Sequence, residues 1–100
     1  MNFEWDDGNL TKLKRIQDSG RFIEQQEIES VFADGHQLIT QTYSDEQTGE
    51  ERYMIRGLSN QNRVLSDLFV IRQPGDRIRV LNAWKTKQAK LKEYHANKTE

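Results

Sequence analysis

The sequence predicts an α+β domain: two N-terminal helices, an antiparallel four-stranded meander and one C-terminal helix. Three observations lead there. Apolar residues recur at helical spacing through the first third of the chain and at a period of two from His36 onward. Turn signals at Asp34-Gly35, around Gly49, at 59–62 and at Pro74-Gly75-Asp76 divide the period-two region into four short runs. Links that short join antiparallel neighbours, and helices set to one end of such a sheet define the α+β class.

Each element has its own signal. Phe3 and Trp5 alternate with Glu4 and predict a short opening strand. Asp6 suits the N-cap of a helix running to about residue 18, because a carboxylate there accepts first-turn N–H groups. Leu10, Leu13 and Ile16 (or Gln17) fall on one face of it, and Ser19-Gly20 ends it. A second helix is predicted over 24–32, with Ile28, Val31 and Phe32 inward and Glu24, Glu27 and Glu29 facing water. The strands are predicted at 36–43, 51–58, 63–72 and 77–84. In the second, Tyr53 and Ile55 oppose Arg52, Met54 and Arg56. The third is apolar on both faces except at Asp67, which predicts a central position. In the fourth, Ile78 and Val80 oppose Arg77, Arg79 and Leu81. Asp45 belongs to the polar loop at 45–50. A basic helix from 85 to about 97 closes the chain, with 97–100 expected to fray.

Composition narrows the class. One hundred residues make one domain spanning 1–100, with 34% hydrophobic and 31% charged residues. There is no cysteine, which excludes disulfides and thiolate metal sites. No stretch approaches the ~18 apolar residues of a membrane span. The start of the chain lacks the basic and apolar regions of a signal peptide, so a cytoplasmic protein with no membrane partner is expected. Charge is divided unevenly. Residues 51–100 carry 11 Lys/Arg and 5 Asp/Glu, whereas residues 1–50 carry 4 and 11. The formal net charge of −1 hides this dipole, and any binding to nucleic acid must use a local patch.

Arginines on a rigid sheet suit phosphate. Arg52 and Arg56 share a strand face, and Arg79 lies on a strand that can approach them. Together they are candidates to hold one phosphate and to stabilise a charged phosphorane. The competing reading is that they solubilise the sheet and pair with the acidic half. Arg72 and Arg77 flank the turn at Pro74-Gly75, where solvation is the ordinary reading, and Arg72 is also a candidate for substrate binding. His36 and His95 are the only side chains with an ordinary pKa near neutral, and His36 or a lysine of the first helix is the candidate for proton transfer. Trp84 is a core plug or a platform for a base. Tyr94 packs inward or offers its hydroxyl to RNA. Lys85, Lys87, Lys90 and Lys92 form a helix face on which Lys87 and Lys90 can follow a phosphate backbone. No glycine-rich phosphate loop and no nucleophile–base motif is present. No metal or other cofactor is expected.

The ordered words Phe3-x-Trp5-Asp6-x-Gly8-Asn9, Val31-Phe32, Glu51-Arg52-Tyr53, Arg63 with its strand, and Arg77-Ile78-Arg79-Val80 before a basic helix carrying Tyr94 span nearly the whole chain. In this it resembles the BrnT toxin family of bacterial type II toxin–antitoxin systems. The resemblance implies a RelE-like fold, metal-independent RNA cleavage that stops translation, and neutralisation by a BrnA-like antitoxin. It also implies a two-fold toxin–antitoxin assembly that meets operator DNA only through the antitoxin. Lys12 and Lys14 stand in for the family's basic N-terminal position. The chain departs from the family at several places. It has no K-H-G between the first helices. Asn82-Ala83-Trp84 stands where the family reads S-A-R, Lys90 where a glutamate is expected, and Asp67 where an apolar residue is preferred. These departures fall on polar types that cleavage would use. The alternative is therefore a non-catalytic RelE-like fold that binds RNA or a protein partner. A third reading is an unrelated α+β interaction domain, favoured if the arginines diverge.

Overall fold

The computed structural model describes residues 1–44 and 46–98. The elements run α1 (Asp7–Asp18), α2 (Gln25–Ser30), a 3₁₀ turn (Val31–Ala33), β1 (Leu38–Ser44), β2 (Glu51–Leu58), β3 (Val64–Arg72), β4 (Arg77–Lys85) and α3 (Gln88–Lys98). The four strands form one antiparallel sheet in the order β1-β2-β3-β4, so the chain is α+β with a meander. Among the described residues no helix is long and apolar enough to cross a membrane.

Asp6 starts α1 through a reciprocal cap. Its carboxylate accepts the N–H groups of Gly8 and Asn9, and the Asn9 side chain accepts the N–H of Asp6 at 2.8 Å. The Asn9 amide then donates to Glu4 O at 2.7 Å, which locks the incoming chain to the helix. The predicted opening strand is a single parallel bridge, Phe3 to Ile78, held by Glu4 N to Ile78 O and Ile78 N to Asn2 O, each at 2.8 Å. It lays the N-terminus along β4.

The second helix is shorter than its pattern predicts. It ends at Ser30, and Val31–Ala33 tighten into a 3₁₀ turn, with Val31 and Phe32 both buried. Glu27 does not face water. It is 3% exposed and held by Arg63 and Ser59. The first strand begins two residues later than predicted, because Asp34 accepts the N–H of His36 and keeps the chain turned. The fourth strand runs on to Lys85, and pairing continues past it through Thr86 N to Val64 O at 3.0 Å. Hence α3 begins at Gln88 rather than 85. It continues through Lys98, and the rest of the predicted fray lies outside the described residues, as does the Asp45 end of the polar loop.

α1, α2 and the 3₁₀ turn cover the inner face of the sheet. Leu13, Ile28, Val31 and Phe32 pack there on Ile55, Leu65, Phe69 and Val80. Phe32 meets Phe3 and Phe69 edge-on at 5.2 and 5.1 Å between centroids. Asp67 is interior to the sheet, as its central strand predicts, and has no exposed surface.

A bulge in β4 governs the outer face. Phe69 pairs with Val80, yet Leu68 pairs with Asn82, so Leu81 is the extra residue. Strict alternation from Val80 would turn Asn82 and Trp84 inward. The bulge inverts this, so that Ala83 is buried in the core and Trp84 joins the outer face. Two cross-strand rows result there: Arg56–Ser66–Trp84 and Met54–Leu68–Asn82. A third row sets Val70 against Arg79.

Candidate nucleic-acid interface

The Arg56–Ser66–Trp84 row floors an open groove of about 620 Å³. Arg56 and Trp84 stand two strands apart, about 10 Å. Around them the groove is lined by Arg21, Lys85, Lys87 and Lys90. Each cation comes from a different feature: the loop after α1, the end of β4, the link after it, and α3. Arg21 is fixed by donating to Ala83 O at 3.4 Å. Ser66 is already bonded to the Thr86 hydroxyl at 2.8 Å, so it braces the floor rather than serving as a nucleophile. None of the lining residues is acidic. The Arg56 side chain is 14% exposed, and its Nε is buried with no hydrogen-bond partner among the described residues. At the rim Glu93 of α3 pairs with Arg56 at 3.6 Å and with Lys90 at 3.3 Å.

A second hollow, about 340 Å³, adjoins the first across Asn82, which lines both. Lys12, Arg52 and Arg79 border it. Arg79 is committed elsewhere. Its Nη1 donates to Asp6 at 2.6 Å and to Glu4 at 3.0 Å. The hydrogen bond from Arg79 holds the Asp6 carboxyl down at about 2, against a smaller opposing effect of burial. Glu4 also takes Arg77 at 2.7 Å and Arg72 at 3.6 Å, and Arg72 reaches Glu50 at 3.2 Å. Three strand arginines thus converge on one carboxylate of the N-terminal segment.

The candidate residues fall into three groups. Arg52, Arg56 and Arg79, expected to hold one phosphate together, do not share one concavity, because Arg56 lies in the groove and the other two border the hollow. Arg56, Trp84 and Lys87 share the first groove. Arg52, Arg79 and Lys12 share the second hollow. Lys14, His36, Arg72 and Tyr94 line neither. Lys14 is exposed on α1, and His36 is exposed in the turn before β1. Tyr94 is 1% exposed and donates its hydroxyl to Asp34 at 2.5 Å. Burial and the Asp34 carboxylate push its pKa up to about 12. Asp34 also accepts the N–H of Leu58 at 2.8 Å, so this pair ties α3 to β2 and to the 3₁₀ turn. Tyr94 thus packs inward, with its hydroxyl proton engaged by Asp34.

Arg21, Asn82 and Glu93 were not among the sequence candidates. Glu93 carried a signal, being the single acid in α3. Arg21 carried none, because only the packing of its loop against β4 brings it to the groove. Among the described residues no group of three or more His, Cys, Asp or Glu side chains is placed to hold a metal ion. No family model and no curated protein matches the chain.

Proposed function

We propose that the chain binds single-stranded RNA in the outer-face groove and cleaves it as a toxin of the BrnT, RelE-like kind. The observation that carries this is the gathering of Arg21, Arg56, Lys85, Lys87 and Lys90 around Trp84 in a chain whose net charge is −1. A phosphate seated on Arg56 would be flanked by the lysines, and a base would stack on the Trp84 indole. In the proposed reaction the ribose 2′-oxygen attacks the neighbouring phosphorus and the bond to the 5′-oxygen breaks. This leaves a 2′,3′-cyclic phosphate and a 5′-hydroxyl. Glu93 beside Arg56 takes the 2′-hydroxyl proton, a lysine of α3 supplies one to the leaving oxygen, and Arg56 balances the phosphorane charge. The cell compartment of such a toxin is the bacterial cytoplasm. Its partner is a BrnA-like antitoxin that covers the basic groove, in a two-fold assembly that reaches operator DNA through the antitoxin alone.

A second reading has its own support. Arg79 is neutralised by Glu4 and Asp6, and neither His36 nor any other histidine lines the groove. A domain that binds RNA without cutting it would keep the cations and need no base. One experiment separates the two: induced expression in bacteria beside incubation of purified protein with labelled RNA. Growth arrest with 2′,3′-cyclic phosphate ends, both lost in Arg56→Ala and Glu93→Gln, is the expected result. RNA retained intact by the wild type leaves the binding reading. Failure to bind RNA at all contradicts both.

A further inference from the structure

Asn82 is the residue common to both concavities, and its amide is held one way round. Its Oδ1 accepts the N–H of Ala83 at 2.9 Å, which turns the carbonyl toward its own strand. The neighbouring bulge at Leu81 sets this geometry and puts Asn82 on the outer face beside Leu68. The amide Nδ2, on the opposite branch, carries two N–H donors, and the residue lines both concavities. Two positions along β4 stands Trp84, the proposed stacking platform. On the other side Lys12 and Arg52 border the second hollow. Arg52 and Arg56 lie four residues apart on one strand, about 13 Å, which is more than one nucleotide unit.

We infer that Asn82 selects the base of an RNA strand that runs from the Arg56–Trp84 groove to the Lys12–Arg52 hollow, and that the base it selects is guanine. This rests on the RNA-binding reading above. A free asparagine amide pairs its donor and its acceptor with the N7 and N6 amine of adenine. Here the acceptor is used within the strand, so the side chain presents donors alone. The guanine O6/N7 edge offers two adjacent acceptors and takes both. Adenine presents its own amine there and meets donor with donor. Met54 and Leu68 stand in the same cross-strand row as Asn82 and put an apolar surface beside the amide.

The test is fluorescence anisotropy with three pentamers: all uridine, uridine with one central guanosine, and uridine with one central adenosine. The wild type should bind the guanosine strand about tenfold more tightly than the adenosine strand, toward the lower end of the range for one bidentate base contact. Central 7-deazaguanosine, which removes N7 without altering the protein, should lower affinity to the adenosine level. Asn82→Ala should erase the preference between the guanosine and adenosine strands. Equal binding of guanosine and adenosine strands by the wild type, or a preference surviving in Asn82→Ala, overturns the inference. Trp84→Ala should weaken all three strands. If the wild type binds uridine pentamer no better than Trp84→Ala does, the RNA reading itself falls. If that binding depends on Trp84 and no base preference exists, only the role of Asn82 falls.

Discussion

Asp67 sits on the inner face of β3 with no exposed surface, and neither carboxylate oxygen has a hydrogen-bond partner among the described residues. Burial drives its pKa well above the usual carboxylate range, and the nearby Glu27 charge adds to the shift. The sign of the stability effect follows. With the folded pKa above the unfolded value, the unfolded state releases the proton first, so folding stability falls as pH rises from about 4 toward the folded pKa. Each unit of difference is worth about 1.4 kcal/mol. Asp67→Asn should match the wild type below about pH 4 and become the more stable protein above it, by several degrees in Tm for a domain of this size. Thermal melts from pH 3 to 8 check this, and a constant difference across that range would refute it. Asp67 was visible in the sequence as the one charge in an apolar run. Glu27 was not, because helical spacing sends it to solvent. Its burial depends on Arg63 and Ser59, which lie 36 and 32 residues further along the chain. Its two charge-assisted bonds with Arg63 and a bond from Ser59 lower its pKa despite burial. One-dimensional periodicity cannot find such a partner.

At the scale of elements, β2 was legible from end to end, since alternation and two turn signals bound it at 51–58. The bulge at Leu81 was not. Residues 81–85 read the same in either register, and a one-residue shift exchanges the two faces. That single insertion decides whether Trp84 is a core plug or part of the groove. Packing against the 3₁₀ turn also leaves a mark. A Cβ on Gly57 would lie 2.9 Å from both Val31 Cγ1 and Val31 O, and 3.3 Å from Asp34 Oδ2. The carbonyl cannot swing away without unwinding the turn. Gly57→Ala should therefore cost about 1–3 kcal/mol. Urea unfolding at unchanged slope would show it, and a neutral effect would mean that the β2–turn contact yields more readily than its geometry suggests.

Across the whole molecule, the opposed charge of the two halves is consumed unevenly. Acids of the first half meet the arginines at one end and one edge of the sheet: Glu4, Asp6 and Glu50 with Arg72, Arg77 and Arg79, and Glu27 with Arg63. Arg56 and the lysines after β4 are left as the local excess, opposed at the groove by Glu93. The charge asymmetry was therefore legible in the sequence, but its residue was not, since which cations are cancelled depends on the path of the N-terminus along β4. The most direct test is the salt dependence of binding to a uridine oligomer. For single strands log K falls with log salt at about 0.7 per phosphate neutralised. The double substitution Lys87→Ala and Lys90→Ala should reduce that slope by about 1.4, whereas Lys14→Ala, on α1 away from the groove, should leave it unchanged. Equal slopes for the wild type and both variants, or an equal loss in both variants, would contradict the claim that the outer-face groove holds the RNA backbone.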